Sequence, residues 1–177
     1  MVNLQCPLQF LFSPAIRNGD EVLFINLFPS TIVADHFLPF MDTLKQEFLP
    51  FRHRIVLEIN ESVNEGRVWN HPLFIPRIRD LREEGFFIAL DDVGEGTTTL
   101  RKIVEISPDF IKIDRFFSKD LSGCTKKQKV IRLLVEYCQD TSGLILEGIE
   151  REEDFLQALR LGVKVGQGFF LGKPERL

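Results

Sequence analysis

Six short apolar runs, separated by five amphipathic stretches, dictate the architecture open to this chain. The runs are "EVLFINL" (21–27), "RIVLEI" (54–59), "FFIALD" (86–91), "DFIKID" (109–114), "GLILEG" (143–148) and "VKVGQG" (163–168). Their length and branched or aromatic content predict buried strands. Between the first two, Phe37, Phe40, Met41, Leu44 and Phe48 keep helical spacing. Ile75, Ile78 and Leu81 form a second stripe ended by Gly85, and Leu100, Ile103 and Val104 a short third. Val130, Leu133, Leu134 and Tyr137 form a fourth, and Phe155, Leu156 and Leu159 a fifth closed by Gly162. Strict β-α alternation with short loops implies parallel strands joined by helical crossovers. No linker or low-complexity segment interrupts it, so residues 1–177 are expected to form one domain.

The polar residues choose between an open sheet and a barrel. Asn26, Glu58, Asp91 with Asp92, Lys112, Glu147 and Gln167 all fall at or near the C-terminal ends of their strands. An open parallel sheet gathers its ligand groups at one switch point, whereas a barrel collects them around its rim. Six strands that each deliver a polar group to one edge favour the barrel. Seventeen phenylalanines against one tryptophan and one tyrosine point to a core filled by phenyl rings.

Taken singly, each of these residues has a plain structural use. Asn26 is competent to cap a turn, and Lys112 to reach solvent or an acidic partner. Glu58 sits inside an apolar run, where a carboxylate needs a partner. One aspartate before a glycine turn is a common helix cap, yet a cap does not need the adjacent pair Asp91-Asp92. Neighbouring carboxylates gain a purpose from a divalent cation or from substrate protons. His36, His53 and His71 have no ligand spacing and read as surface or loop positions, and Arg77, Arg79 and Arg82 as a solvated helix face.

Bulk properties exclude several classes. A net charge of −4 without a basic stripe argues against DNA or RNA as partner. Cys6, Cys124 and Cys138 are odd in number and widely spaced, which fits a reducing compartment rather than a disulfide or zinc framework. No apolar run has the length of a membrane span and "CPLQFLF" lacks the basic flank of a signal peptide, so a cytoplasmic location is expected.

Together these stretches resemble the EAL domain of bacterial cyclic-di-GMP phosphodiesterases. "FINLFPSTI", "IVLEINES", "ALDDVGEGTTTL", "SPDFIKIDRFF", "LEGIEREEDFLQAL" and "LGVKVGQGFFLGKP" occur in family order over about residues 21–174, with 1–20 an atypical N-terminal segment. The resemblance implies an incomplete TIM-like β/α barrel of about six parallel strands and five crossover helices. It implies hydrolysis of cyclic di-GMP to its linear dinucleotide, pGpG, with Mg²⁺ or Mn²⁺. By the same resemblance, Asn26, Glu58 and Asp91 hold a first metal, and Asp91 and Asp92 a second. Lys112 orients the attacking water, Glu147 is a direct or outer metal partner, and Gln167 supports the ring by hydrogen bonding. Glu61 matches the glutamate that anchors the loop after the aspartate pair. A homodimer or a regulatory protein partner is implied as well.

The departures set further expectations. No Glu-Ala-Leu run occurs in the sequence, and that glutamate is a first-metal ligand in the family. Val93, Glu95 and Thr97 stand where the family usually has Phe, Thr and an aromatic residue, in the loop that couples metal site to dimer. The chain alone is therefore expected to be an impaired or inactive phosphodiesterase. The competing expectation is a non-catalytic module that binds cyclic di-GMP or another protein.

Overall fold

The computed structural model describes residues 22–48, 52–60, 68–94 and 100–172. Six parallel strands pair in chain order: β1 (Leu23–Asn26), β2 (Ile55–Ile59), β3 (Phe87–Val93), β4 (Phe110–Ile113), β5 (Gly143–Leu146) and β6 (Val165–Gly166). That order never reverses, so the sheet has no switch point and winds in the manner of a barrel. Its curvature is measurable. The Phe24 ring on β1 and the Phe110 ring on β4 lie 5.7 Å apart, centroid to centroid. Three strand intervals would set them roughly 14 Å apart in a flat sheet. The six strands thus curl into part of a TIM-like barrel, as the run of βα units predicts.

The five crossovers carry seven α-helices among the described residues: α1 (Pro29–Val33), α2 (Phe37–Phe48), α3 (Phe74–Glu83), α4 (Leu100–Ile106), α5 (Arg115–Ser118), α6 (Thr125–Cys138) and α7 (Glu152–Arg160). The first and fourth crossovers each hold an extra short helix that the apolar stripes do not announce. Phe37, Met41 and Leu44 are buried on α2, and Phe74, Ile78 and Leu81 on α3. The latter helix ends as its sequence predicts. Gly85, at φ +93°, donates to the Arg82 carbonyl, and Phe86 donates to that of Leu81. Gly162, at φ +92°, closes α7 in the same way, with Val163 donating to Ala158. Such ends need a left-handed residue, which glycine adopts without steric cost.

Three helix faces differ from the sequence expectation. On α6 the buried residues are Ile131, Leu134 and Cys138, while Val130, Leu133 and Tyr137 are exposed. Apolar residues occupy two adjoining rows of that helix, so spacing alone leaves its rotation open by one residue, about 100°. On α4 Ile103 and Ile106 are buried and Leu100 and Val104 exposed. On α7 Ala158 and Asp154 face inward, and Leu156 and Leu159 outward. Asp154 is buried because its carboxylate accepts from the Asp120 and Ser122 amides, at 3.2 and 2.8 Å.

One arginine of α3 departs from a solvated face. Arg77 donates to the carbonyls of Ile32 and Ala34 at 2.7 and 2.8 Å and lies over the Phe37 ring. Arg82 pairs with Asp109 at 3.0 Å, and Asp109 accepts the Ile88 amide at 2.9 Å. Arg79 and Arg82 are exposed as the sequence suggests, and Arg77 is the one drawn partly inward. His36, His53 and His71 are exposed as expected. Cys124 and Cys138 are free thiols, and burial pushes that of Cys138 up to about 11. No helix among the described residues is long and apolar enough to cross a membrane.

The core is mainly aliphatic, contrary to the phenyl-filled core expected: among the described residues Phe37, Phe74 and Phe86 are the buried phenylalanines, while Phe24, Phe87 and Phe110 are part-buried and pack together on the strands. Phe110 packs edge-on against both Phe24 and Phe87, the latter at 6.1 Å. The neighbouring strand must yield room for it. A Cβ on Gly143, the β5 residue paired with Phe110, would stand 2.7 Å from the Phe110 ring. A glycine at the start of "GLILEG" is therefore a packing requirement.

Candidate functional site

The strand ends bring the polar residues together. Lys112 is buried at mid-β4, and its Nζ lies 2.6 Å from Glu58 Oε1, 2.9 Å from Asp91 Oδ1 and 2.8 Å from Glu147 Oε1. Four of the candidates, from β2, β3, β4 and the end of β5, thus form one ionic cluster. Asn26 is aligned with Glu58 across the β1–β2 pair, at the exposed end of its strand. Gln167, exposed just past β6, lines a cavity of about 360 Å³ together with Glu58, Lys112 and Phe24. Residues of β1 and β6 therefore face one space. Glu61, Glu95 and Thr97 lie outside the described residues.

The aspartate pair depends on a local irregularity. Successive strand residues normally point to opposite faces. Here the β3–β4 register runs Leu90 to Ile111 and then Val93 to Ile113, so β3 carries one extra residue. Asp92 absorbs it at φ +53°, a left-handed conformation that aspartate tolerates better than most residues. The bulge lets both carboxylates join one group: ligand oxygens of Asp91, Asp92 and Glu147 lie within 4.8 Å of one another. Asn60, two residues past Glu58, donates its Nδ2 to Asp92 Oδ2 at 2.8 Å and to Asp91 Oδ2 at 3.4 Å. Asn60 is a site residue that the strand-end pattern misses. Its signal was its place directly after the apolar run that carries Glu58.

Electrostatics follow from this crowding. Burial lowers the affinity of the Lys112 amine for its proton, yet the hydrogen bonds it donates to Glu147 and Glu58 and the charge of Asp91 overcome it, and the net shift is well upward. Glu147 is nevertheless raised rather than lowered, because burial, with Asp91 and Asp92 nearby, outweighs the pull of Lys112. Asp92 is raised by burial first and by Asp91 second, with Asn60 opposing. The cluster carries four carboxylates against one ammonium, and cations would relieve it.

The donor set fits a hard divalent cation. All available donors are oxygens, the preference of Mg²⁺ and Mn²⁺. Ligand oxygens of Asp91, Asp92 and Glu147 lie within 4.8 Å of one another, close enough to share one such ion, while Asp91 Oδ1 also meets the Lys112 ammonium at 2.9 Å.

Known proteins place the chain. The family model of the EAL domain matches residues 8–174. The probable cyclic di-GMP phosphodiesterase PdeI of Escherichia coli K12 is 32% identical over 161 residues, covering 90% of this chain and 20% of that protein. The chain thus spans about a fifth of the length of the curated relatives it matches. The crystal structure of the EAL domain of Mycobacterium smegmatis DcpA superposes with a TM-score of 0.75 at 31% identity, over 86% of this chain and 68% of that one. The manganese and cyclic-di-GMP complex of Klebsiella pneumoniae BlrP1 does so at 0.74 and 26%, over 87% and 39%. Ordered motifs, a sheet wound in chain order and these matches agree: the chain belongs to the EAL domain family.

Proposed function

We propose that this domain acts on cyclic di-GMP as a cation-dependent phosphodiesterase whose turnover, for this chain alone, is weak. The carrying observation is Lys112 enclosed by Glu58, Asp91 and Glu147 beside the Asp91-Asp92 bulge. In this reading Asn26, Glu58 and Asp91 hold a first Mg²⁺ or Mn²⁺, and Asp91 and Asp92 a second. Glu147 joins their shell directly or through water. When bound, such ions neutralise phosphate oxygens and acidify water toward a nucleophile.

The chain's own groups supply the rest. Lys112 holds its protons through neutral pH, because its carboxylate partners raise its affinity for them. It therefore serves as a fixed positive charge and hydrogen-bond donor that orients a water, not as a proton relay. In this reading Gln167, which lines the same cavity as Glu58 and Lys112, supports the ring by hydrogen bonding. Glu61 is assigned to anchoring the loop after Asp92, and a homodimer or regulatory partner and a cytoplasmic setting complete the reading.

Weak turnover follows from the ligand count. The sequence contains no Glu-Ala-Leu run. A first-cation site short of one carboxylate loses much of its affinity, since anionic oxygens provide most of it. The same observation favours a second reading, a non-catalytic module that binds the dinucleotide or a protein partner. Incubating the purified chain with cyclic di-GMP and Mn²⁺, and following linear product by chromatography, separates them. Slow turnover abolished by Glu58→Ala supports the enzyme. Binding without product supports the module. Absence of both binding and product overturns the cyclic di-GMP reading.

A further inference from the structure

Asn60 has no role in the cation assignments above, yet it touches both members of the aspartate pair. Its Nδ2 lies 2.8 Å from Asp92 Oδ2 and 3.4 Å from Asp91 Oδ2. The Asp91 contact is to Oδ2, whereas Lys112 meets the other oxygen, Oδ1. Two carboxylates turned to one side by the β3 bulge repel each other, and their spacing would be loose without a donor between them. An amide suits that task. It offers two protons without a charge, so it holds the pair together while leaving the negative charge that attracts a cation intact.

The geometry points to Asn60 as a positioning residue that fixes the spacing of Asp91 and Asp92 and thereby sets the affinity of the second of two divalent cations. The inference rests on the cation assignment proposed above. Asn60 acts through the aspartates and touches no reacting atom. Residues that orient ligands in this way typically contribute about 10- to 100-fold to metal affinity.

Mn²⁺ alone is the probe. Titration followed by electron paramagnetic resonance counts bound ions and reports a spin-coupled pair, a signature that general loosening of the fold would not remove selectively. Wild type is expected to take two ions with a coupled spectrum. Asn60→Leu keeps the volume but has no donor. It should take the first ion within about 3-fold of wild type and the second about 10-fold or more weaker, losing the coupled signal. Melting in EDTA checks that the variant is folded. Should it not fold, Asn60→Ser replaces it, because its shorter side chain cannot span both carboxylates, and the same selective loss is expected. A variant with unchanged second-ion affinity overturns the inference, as does equal weakening of both ions or a wild type that binds one ion only. If wild type takes up no Mn²⁺, the cation assignment itself falls and this inference with it. If wild type takes up two and the variant matches it, only the role of Asn60 falls.

Discussion

Lys112 Nζ lies 2.6 Å from Glu58 Oε1, and both side chains are 9% exposed. A buried charge pair of this kind contributes little net stability as a pair, but removing one partner strands the other. Here the stranded groups would be three, because Asp91 and Glu147 share the same ammonium. Lys112→Met is therefore expected to destabilise the metal-free protein by about 3–5 kcal/mol. Mn²⁺ should restore part of that loss by replacing the missing positive charge, and restore it more than it stabilises wild type. Urea denaturation of both proteins with EDTA and with Mn²⁺ measures the two effects. Equal Mn²⁺ stabilisation of the two would show that Lys112 and the cations do not compensate the same carboxylates.

The phenyl cluster makes a separate demand. Gly143→Ala places a methyl 2.7 Å from the Phe110 ring, which packs edge-on against Phe24 and Phe87. Overpacking of this sort costs about 1–3 kcal/mol. Phe110→Leu creates space on the same spot, so the double variant should be more stable than the sum of the single losses predicts. A double-mutant cycle from denaturation midpoints tests the coupling. Additive losses would mean that the two residues do not share the space.

Cation uptake should be linked to protons. Asp92 and Glu147 both sit above the usual carboxylate range through burial and neighbouring acids, and a cation requires both ionised. Mn²⁺ affinity is expected to rise with pH through the acidic range and level off once both groups are ionised. Calorimetry in two buffers of different ionisation enthalpy at pH 5 should detect protons released on binding, and fewer at pH 7.5. Uptake of protons, or none at pH 5, would contradict the assignment of these carboxylates to the cation site.

Much of this architecture is legible in the sequence because strand burial and helix termination are local. All six apolar runs contain strands, and Gly85 and Gly162 end helices where the stripes stop. The strand-end polar residues are legible too, since parallel strands necessarily deliver their C-terminal ends to one edge. What the pattern misses depends on tertiary contact. The rotation of α6 was open because its apolar residues occupy adjoining rows, and packing against β5 selects Ile131 over Val130. Arg77 resembles any exposed arginine until the carbonyls of Ile32 and Ala34 are brought over it. Asn60 lies beyond a strand end, where an amide is ordinary, and only the Asp92 bulge gives it a task.

The same bulge sets stability against binding at Asp92. Its carboxyl is raised by burial and by Asp91, so the folded state favours the protonated form relative to the unfolded chain. The sign follows from linkage: that contribution is fully present below the unfolded value and is lost as pH rises through the folded one. At neutral pH the ionised Asp92 therefore costs the metal-free protein stability. Asp92→Asn removes the charge while keeping the shape, the oxygen that Asn60 donates to, and tolerance of φ +53°. In EDTA it is expected to melt about 1–3 °C above wild type at pH 7, a modest gain because Asp92 is only part-buried. The gain should shrink as pH falls from 7 toward 4, because wild type then takes up a proton at this position and the charge difference is lost. In saturating Mn²⁺ the order should invert, since the variant lacks a second-cation carboxylate and gains less from binding. Melting curves of the two proteins at both pH values, with EDTA and with Mn²⁺, provide the comparison. A variant less stable than wild type in EDTA at pH 7 would show that Asp92 serves the fold rather than a cation.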